Sequence, residues 1–176
     1  LLMSSNRQKI NKIKKNQKVF DNSISKRIIE NFRFDLTNDQ LKAIDEIKRD
    51  LSSRKKMFRI LQGDVGSGKT ICAFISISNS IESGYQCALM APTDILAKQH
   101  FISANKTFKN TNIKIAFLSG KTLAKDRKAI IDDLKNGRID LIIGTHALFQ
   151  KKISFKKLGL AIIDEQHKFG VKQRMN

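Results

Sequence analysis

The residues with the most chemistry in them lie in the stretch "LQGDVGSGKTICAF", which begins at Leu61. Three glycines fall within six residues, and a cation, a hydroxyl and an apolar run follow them. Gly63-x-x-x-x-Gly68-Lys69-Thr70 is a complete phosphate-loop pattern, and it lies between a predicted strand and a predicted helix, the context that the motif needs. Phosphate oxygens need several donors at about 3 Å. Glycines let successive backbone N–H groups converge on an oxyanion without Cβ clashes. The start of a helix adds unpaired N–H groups and a partial positive charge. Gly63, Asp64, Val65, Gly66, Ser67, Gly68, Lys69 and Thr70 are therefore the candidate cradle. Lys69 would reach the β- and γ-phosphates of a nucleotide, and the Thr70 hydroxyl would complete the shell of a Mg²⁺ ion, an arrangement open to a kinase, a transporter ATPase or a GTPase.

A second acidic motif, Asp164-Glu165, closes the apolar run "LGLAIID". An acid at the carboxyl end of a buried parallel strand lies at the edge of the sheet where ligands bind. Asp164 would hold Mg²⁺ through water, and Glu165 would orient and deprotonate an attacking water. The pairing of this motif with the phosphate loop gives it weight, because two adjacent acids at a strand end are common by themselves.

These residues need a scaffold, and the sequence predicts one. After "FRFDLTNDQ", the residues Leu41, Ile44, Ile47, Lys48 and Leu51 mark one face of a helix over 37–53. "MFRILQ", "CALMAP", "IKIAFL", "IDLIIGT" and "LAIID" read as buried strands. "KTICAFISISNSIES", "TDILAKQHFISANKTF" and "AKDRKAIIDDLKNG" read as the helices between them. Alternating strands and helices predict an α/β fold, with a parallel sheet, right-handed crossovers and helices on both faces. Residues 1–31 hold eight Lys or Arg against two acids, with apolar residues at helical steps. They read as a basic, partly disordered helical lead-in, with a break near "DNS" where Asp21 or Ser23 caps a helix. It has too few apolar residues to fold without something to lean on. The domain reading is thus a lead-in over 1–31 and an ATP-binding domain over 32–176.

Composition bounds the rest. A chain of 176 residues can bury one core. No apolar run approaches the roughly 18–20 residues of a membrane span, and the basic, polar start is unlike a signal peptide. Cys72 and Cys87 sit in apolar surroundings and read as two buried, reduced thiols of a cytoplasmic protein. The formal net charge of +18 suggests a polyanionic partner, but Lys (25), Ile (24) and Asn (12) are all abundant, as an AT-rich genome would write them. Position therefore says more than net charge. Pro92-Thr93, Gly120-Lys121 and Gly144-Thr145 each follow a predicted strand, where small polar residues and backbone amides can hold a string of nucleic-acid phosphates. Helix capping is the competing reading for Thr93 and Thr145. His100 and His146 have no partners at metal-ligand spacing.

Together "LQGDVGSGKT", "APTDILAKQH", "GTHALFQ" and "IIDEQHKFGVKQR" resemble the first motor domain of superfamily 2 DNA helicases, and among these the bacterial RecG branched-DNA helicases. The resemblance covers roughly residues 30–176. It implies a RecA-like P-loop NTPase domain, ATP hydrolysis with Mg²⁺, DNA binding, and work in DNA repair and recombination. It also implies an adenine-reading role for Gln40, although Thr37-x-x-Gln40 is equally a helix capping box. His167 corresponds to a residue that links nucleotide state to the rest of the motor. The transcription-repair coupling factors are the nearest confusable relatives, but they typically carry Glu where Gln166 stands.

The family's next motif, a Thr/Ala/Thr-rich segment, would come after Asn176, as would the second motor domain with its arginine fingers. A wedge domain that recognises branched DNA would precede Leu1, and "LLM" reads as a start inside a longer protein. The expectation is a fragment that is inactive alone. Three readings share its fold: a piece of a helicase completed by a separately encoded motor domain, a nucleotide-binding module without turnover, and a remnant of a degraded gene. A neighbouring reading frame that encodes the second motor domain would favour the first.

Overall fold

The computed structural model describes residues 15–31, 35–64, 66–150 and 152–164. Val65, Glu165, Gln166 and His167 fall outside the described residues, as does the "HKFGVKQR" continuation. The chain divides into two compact units, one up to Ser83 and one from Gly84.

The first unit holds helices α1 (Ser23–Asn31), α2 (Asn38–Ser52) and α3 (Lys69–Glu82). Helix α2 starts at the anticipated capping box. Thr37 Oγ1 accepts from the Gln40 N–H at 3.3 Å, and Gln40 Oε1 accepts from the Thr37 N–H at 2.9 Å. Ile44, Ile47 and Leu51 are buried along one face, as their spacing predicts, whereas Leu41 in the first turn is exposed. Helix α3 is buried nearly all round, from Ile71 to Ser80. Its apolar composition allows this, and two of its buried hydroxyls bond within the helix: Ser76 to the Cys72 carbonyl at 2.7 Å and Ser78 to the Ile75 carbonyl at 2.8 Å.

The lead-in leans on this unit. Both α1 and α2 pack on α3. Lys15 Nζ donates to the carbonyls of Asp50 and Leu51, each at 2.9 Å, and so supplies a cation to the last turn of α2. Partial burial, with Lys18 nearby, holds the Lys15 ammonium below its ordinary pKa in spite of Asp50. The break near "DNS" is present, with Asn22 in the left-handed region at φ 64°. The cap, however, comes mostly from elsewhere. Glu82, the last residue of α3, accepts from the N–H groups of Asn22 (3.0 Å) and Ile24 (2.5 Å) and from the Ser23 hydroxyl (3.2 Å). Asp21 contributes one bond, to the Ser23 N–H at 2.9 Å, which draws its carboxyl below the usual range.

The second unit is a four-stranded parallel sheet in the order β2-β3-β1-β4. Its strands are β1 (Gln86–Met90), β2 (Ile115–Leu118), β3 (Leu141–Gly144) and β4 (Leu158–Ile163). Helix α4 (Asp94–Thr107) joins β1 to β2, helix α5 (Ala124–Asn136) joins β2 to β3, and a 3₁₀ turn (His146–Phe149) follows β3. Strand alternation assigns the two faces. Ala88, Met90, Leu118 and Ile142 point to one face and pack in a cluster with Leu134 of α5. Phe117 points to the other, where its ring lies 5.6 Å from that of Phe101 on α4. Helices therefore cover both faces, as the alternating pattern predicts. Gln86, 5% exposed, ties the base of the sheet together. Its amide donates to the carbonyls of Leu134 (3.0 Å) and Ile139 (2.7 Å) and accepts from the Lys157 N–H (3.0 Å).

One predicted strand is absent. Residues 57–62, "MFRILQ", form no strand, and Phe58 and Ile60 are each 71% exposed. An apolar run records a preference for burial and not the partner that supplies it. What holds this segment instead is Arg59, whose guanidinium pairs with Glu46 (2.5 Å) and Asp50 (2.8 Å) on the polar side of α2. The Asp50 hydrogen bond is the main reason that Arg59 binds its proton more tightly than a free guanidinium.

Candidate functional site

The phosphate loop runs into the first residue of α3. Gly66 and Gly68 have φ of 82° and 78°, a region that residues with a Cβ rarely adopt. A Cβ on Gly63 would lie 2.7 Å from Ser67 Oγ, and one on Gly68 would collide with the Gln40 amide. Each glycine of the pattern thus has a steric reason or a dihedral one. The loop turns tightly, with the Ser67 N–H on the Asp64 carbonyl at 3.1 Å. Gly68 caps α3 without a side chain, so no hydroxyl or carboxylate of the capping residue takes the first-turn N–H groups. Lys69 Nζ folds back into the loop and donates to the carbonyls of Gly63 and Asp64, both at 2.7 Å. Thr70 is half-buried directly after it.

Gln40 touches the same loop. While Oε1 serves the capping box, Nε2 donates to the Ser67 carbonyl at 2.9 Å. The sequence presented capping and ligand reading as rivals. The structure makes the capping box real and adds a tie to the loop, which the sequence spacing did not reveal.

In the second unit the register brings the strand ends into one row. Met90 pairs with Gly144 and Ile163, and Gly144 pairs with Leu118. Pro92-Thr93, Gly120-Lys121, Gly144-Thr145 and Asp164 all follow from this row, at the carboxyl edge of the sheet. Asp164 has its backbone fixed there, its N–H donating to the Met90 carbonyl at 2.8 Å.

The three candidate phosphate contacts fare differently. Thr93 is exposed and caps α4, its hydroxyl oxygen accepting from the Leu96 N–H at 3.3 Å. Gly120 and Lys121 are exposed, and the Lys121 ammonium stands 3.9 Å from Asp94. The loop that carries them is braced by Arg127, which donates to the Ser119 carbonyl at 2.7 Å and to Gln150 Oε1 at 3.1 Å. Gly144 and Thr145 are buried. A Cβ on Gly144 would strike the Leu118 carbonyl oxygen. The Thr145 N–H is spent on that same carbonyl at 3.3 Å, and its hydroxyl is buried without a partner. Thr145 does not cap the 3₁₀ turn through its side chain either. In this arrangement the pair serves a close approach of strand and turn and presents nothing to a phosphate.

Sequence reasoning missed the partner of His100. From α4, His100 Nε2 reaches Asp164 Oδ2 at 2.6 Å. The two residues are 64 positions apart, so no local spacing could have signalled the contact.

Comparison with known proteins shows the family. The DEAD/DEAH box helicase model matches residues 37–176. The ATP-dependent DNA helicase RecG of Thermotoga maritima is 48% identical over 89% of this chain and 20% of its own length. RecG of Borreliella burgdorferi is 46% identical over 90% of this chain and 23% of its own. The chain therefore spans about a fifth of the length of the curated relatives it matches. Its fold superposes on RecG bound to a three-way DNA junction with a TM-score of 0.90 and 44% identity, over 97% of this chain and 23% of that one. The yeast DEAD-box splicing factor Prp28, at TM-score 0.61 and 19% identity over 94% of this chain and 43% of that one, shares the fold alone. The parallel sheet, the phosphate loop and these matches lead to one assignment: the chain belongs to the DEAD/DEAH box helicase family.

Proposed function

We propose that the chain is the ATP-binding part of the first motor domain of an ATP-dependent DNA helicase that acts on branched DNA in repair and recombination, in the cytoplasm. In domain terms, residues 32–176 form that motor domain and residues 1–31 are a lead-in to it. The observation that carries the reading is Lys69, whose ammonium is kept inside a glycine loop at the bare N-terminus of α3. A cation, backbone donors and a hydroxyl at Thr70 are the donor set that a Mg²⁺–nucleotide polyphosphate requires, and Asp164 adds a strand-end carboxylate. Lys69 exchanges its two carbonyls for phosphate oxygens. Gly63, Asp64, Val65, Gly66, Ser67 and Gly68 form the loop that wraps the phosphates, with its backbone N–H groups as donors apart from that of Ser67, which the Asp64 carbonyl already holds. Thr70 and Asp164 serve Mg²⁺, which when bound would screen the phosphate charge. Glu165 orients and deprotonates the attacking water, and His167 passes the nucleotide state onward. Gln40 reads the adenine without giving up its cap. An amide has two N–H donors and two lone pairs, and the cap and the Ser67 tie use one of each. Thr93, Pro92, Gly120 and Lys121 hold DNA phosphates.

Titration with a fluorescent ADP in the presence of Mg²⁺ tests the reading. Binding should be weak for the 176 residues alone, in the high micromolar range (on the order of −5 kcal/mol). Lys69→Ala should remove most of it. Equal binding by the two proteins would overturn the assignment.

A further inference from the structure

We propose that His100 is a positioning residue that sets the orientation of the Asp164 carboxylate, and with it the Mg²⁺ dependence of nucleotide binding. The inference rests on the proposed role of Asp164 at the metal and adds a residue that the phosphate-loop and acidic motifs do not contain. The backbone of Asp164 is fixed by the bond from its N–H to the Met90 carbonyl, at 2.8 Å. That bond places the Cα but leaves the two side-chain torsions to be set by other contacts. His100 contributes to setting them by holding Oδ2 at 2.6 Å. A carboxylate oxygen accepts, so Nε2 is the nitrogen that carries the hydrogen. The pair is sheltered, with side-chain exposures of 16% for His100 and 31% for Asp164, so water competes poorly for the bond. Carboxylates and imidazoles that orient metal-binding groups from one step away commonly matter about 10–100-fold to metal affinity.

The place of His100 on α4 extends its reach. It lies seven positions after Thr93, which caps the helix, and so on the same face about two turns, or ~10 Å, along the axis. The exposed corner proposed to meet a DNA phosphate and the acid proposed to serve the metal are thereby joined by one helix and one hydrogen bond. A shift of α4 along its axis would be felt at Asp164 Oδ2 directly.

Replacement of the donor at two different reaches tests this. His100→Gln keeps an N–H donor close to the Nε2 position, whereas His100→Asn moves it back to the Nδ1 position, and His100→Ala removes it. Fluorescent ADP binding would be titrated with Mg²⁺ for each, and again in EDTA. The expected result is that Ala and Asn raise the Mg²⁺ needed for half-maximal binding about tenfold, that Gln stays within about threefold of the parent, and that all four proteins bind equally in EDTA. No change in Ala, equal losses in Gln and Asn, or losses that persist in EDTA would each overturn the proposal, since these are the signs of an idle or merely structural histidine. In the unsubstituted chain, the His100 ring ¹⁵N signals should move when Mg²⁺ joins the ADP complex, and unmoved signals would also overturn it. Failure of the nucleotide site itself would show separately, as equal ADP binding by the parent and Lys69→Ala.

Discussion

Lys69 and Gly68 show how closely single residues are constrained at the loop. Gly68 sits at φ 78°, and a Cβ there would run into the Gln40 amide, so Gly68→Ala strains the backbone and displaces the contact that ties α2 to the loop. Nucleotide binding should fall at least as far as in Lys69→Ala, and the thermal midpoint should drop as well, which Lys69→Ala should leave alone. Gly144→Ala should destabilise without any ligand, because its Cβ would press on a backbone oxygen that cannot swing aside. Overpacking of this kind costs about 1–3 kcal/mol, to be read from urea unfolding. Cys72 and Cys87 are buried and in no disulfide, as their apolar surroundings indicate. Burial pushes the Cys72 thiol above its ordinary 9.0. Below that pH the thiol is neutral in both folded and unfolded chains and costs nothing. Above it the unfolded chain ionises first, so stability falls as pH rises. Native protein at pH 8 should resist iodoacetamide at both cysteines and react at both in denaturant. At this scale the loop was legible, because its chemistry is written in consecutive residues. The burial of Thr145 was not, because the same Gly-Thr pair at a strand end can face solvent or a neighbouring turn.

The elements were mostly legible for a related reason. Periodicity is local, so α2 to α5 and the four strands were predicted to within a few residues of where they lie. The contacts that join elements were not. Glu82 ends α3, where its charge opposes the helix dipole, and nothing nearby in sequence explains it. Its use is at the start of α1, sixty residues earlier, where it accepts from two N–H groups and a hydroxyl. Glu82→Ala should therefore loosen α1 more than α3. The cost should be about 1–2 kcal/mol, and hydrogen exchange should accelerate at the amides of Asn22 and Ile24 while those of Ile75 and Ile77 stay protected. Uniform acceleration across α3 would mean that Glu82 supports its own helix instead. The segment 57–62 illustrates the opposite error. Its composition reads as a strand, yet Arg59 in its middle carries the charge that binds it to α2, and that charge was visible in the sequence.

At the scale of the whole chain, charge and coverage decide what the 176 residues can do alone. The net charge of +18 predicts binding to any polyanion. The structured candidates are far fewer, with Thr93 and Lys121 exposed and Thr145 buried. Each phosphate neutralised on single-stranded DNA contributes a slope of about −0.7 in log K against log salt. Thr93 and Gly120 carry no charge, so a track whose one cation is Lys121 should give roughly −0.7, with no dependence on base sequence, and Lys121→Ala should remove most of that slope. A slope that is several-fold steeper and lost with residues 1–22 would instead assign binding to the basic lead-in. Hydrolysis sets a sterner demand. It needs a placed water and also a cation on the transferred phosphoryl group, and an arginine finger commonly contributes 10³–10⁵ in rate. Among the described residues the loop holds Lys69, whose proposed task is to bind the phosphates in the ground state as well as in the transition state. The RecG relatives are four to five times longer than the part matched here, and the family resemblance places the arginine on their second motor domain. The chain expressed by itself should therefore bind nucleotide yet release phosphate slowly, with no acceleration by branched DNA. Mixing it with a separately expressed second motor domain of a RecG relative should restore DNA-stimulated hydrolysis, and Glu165→Gln in this chain should abolish it. Rapid, DNA-stimulated turnover by the 176 residues alone would show that they carry a phosphoryl-stabilising cation beyond Lys69.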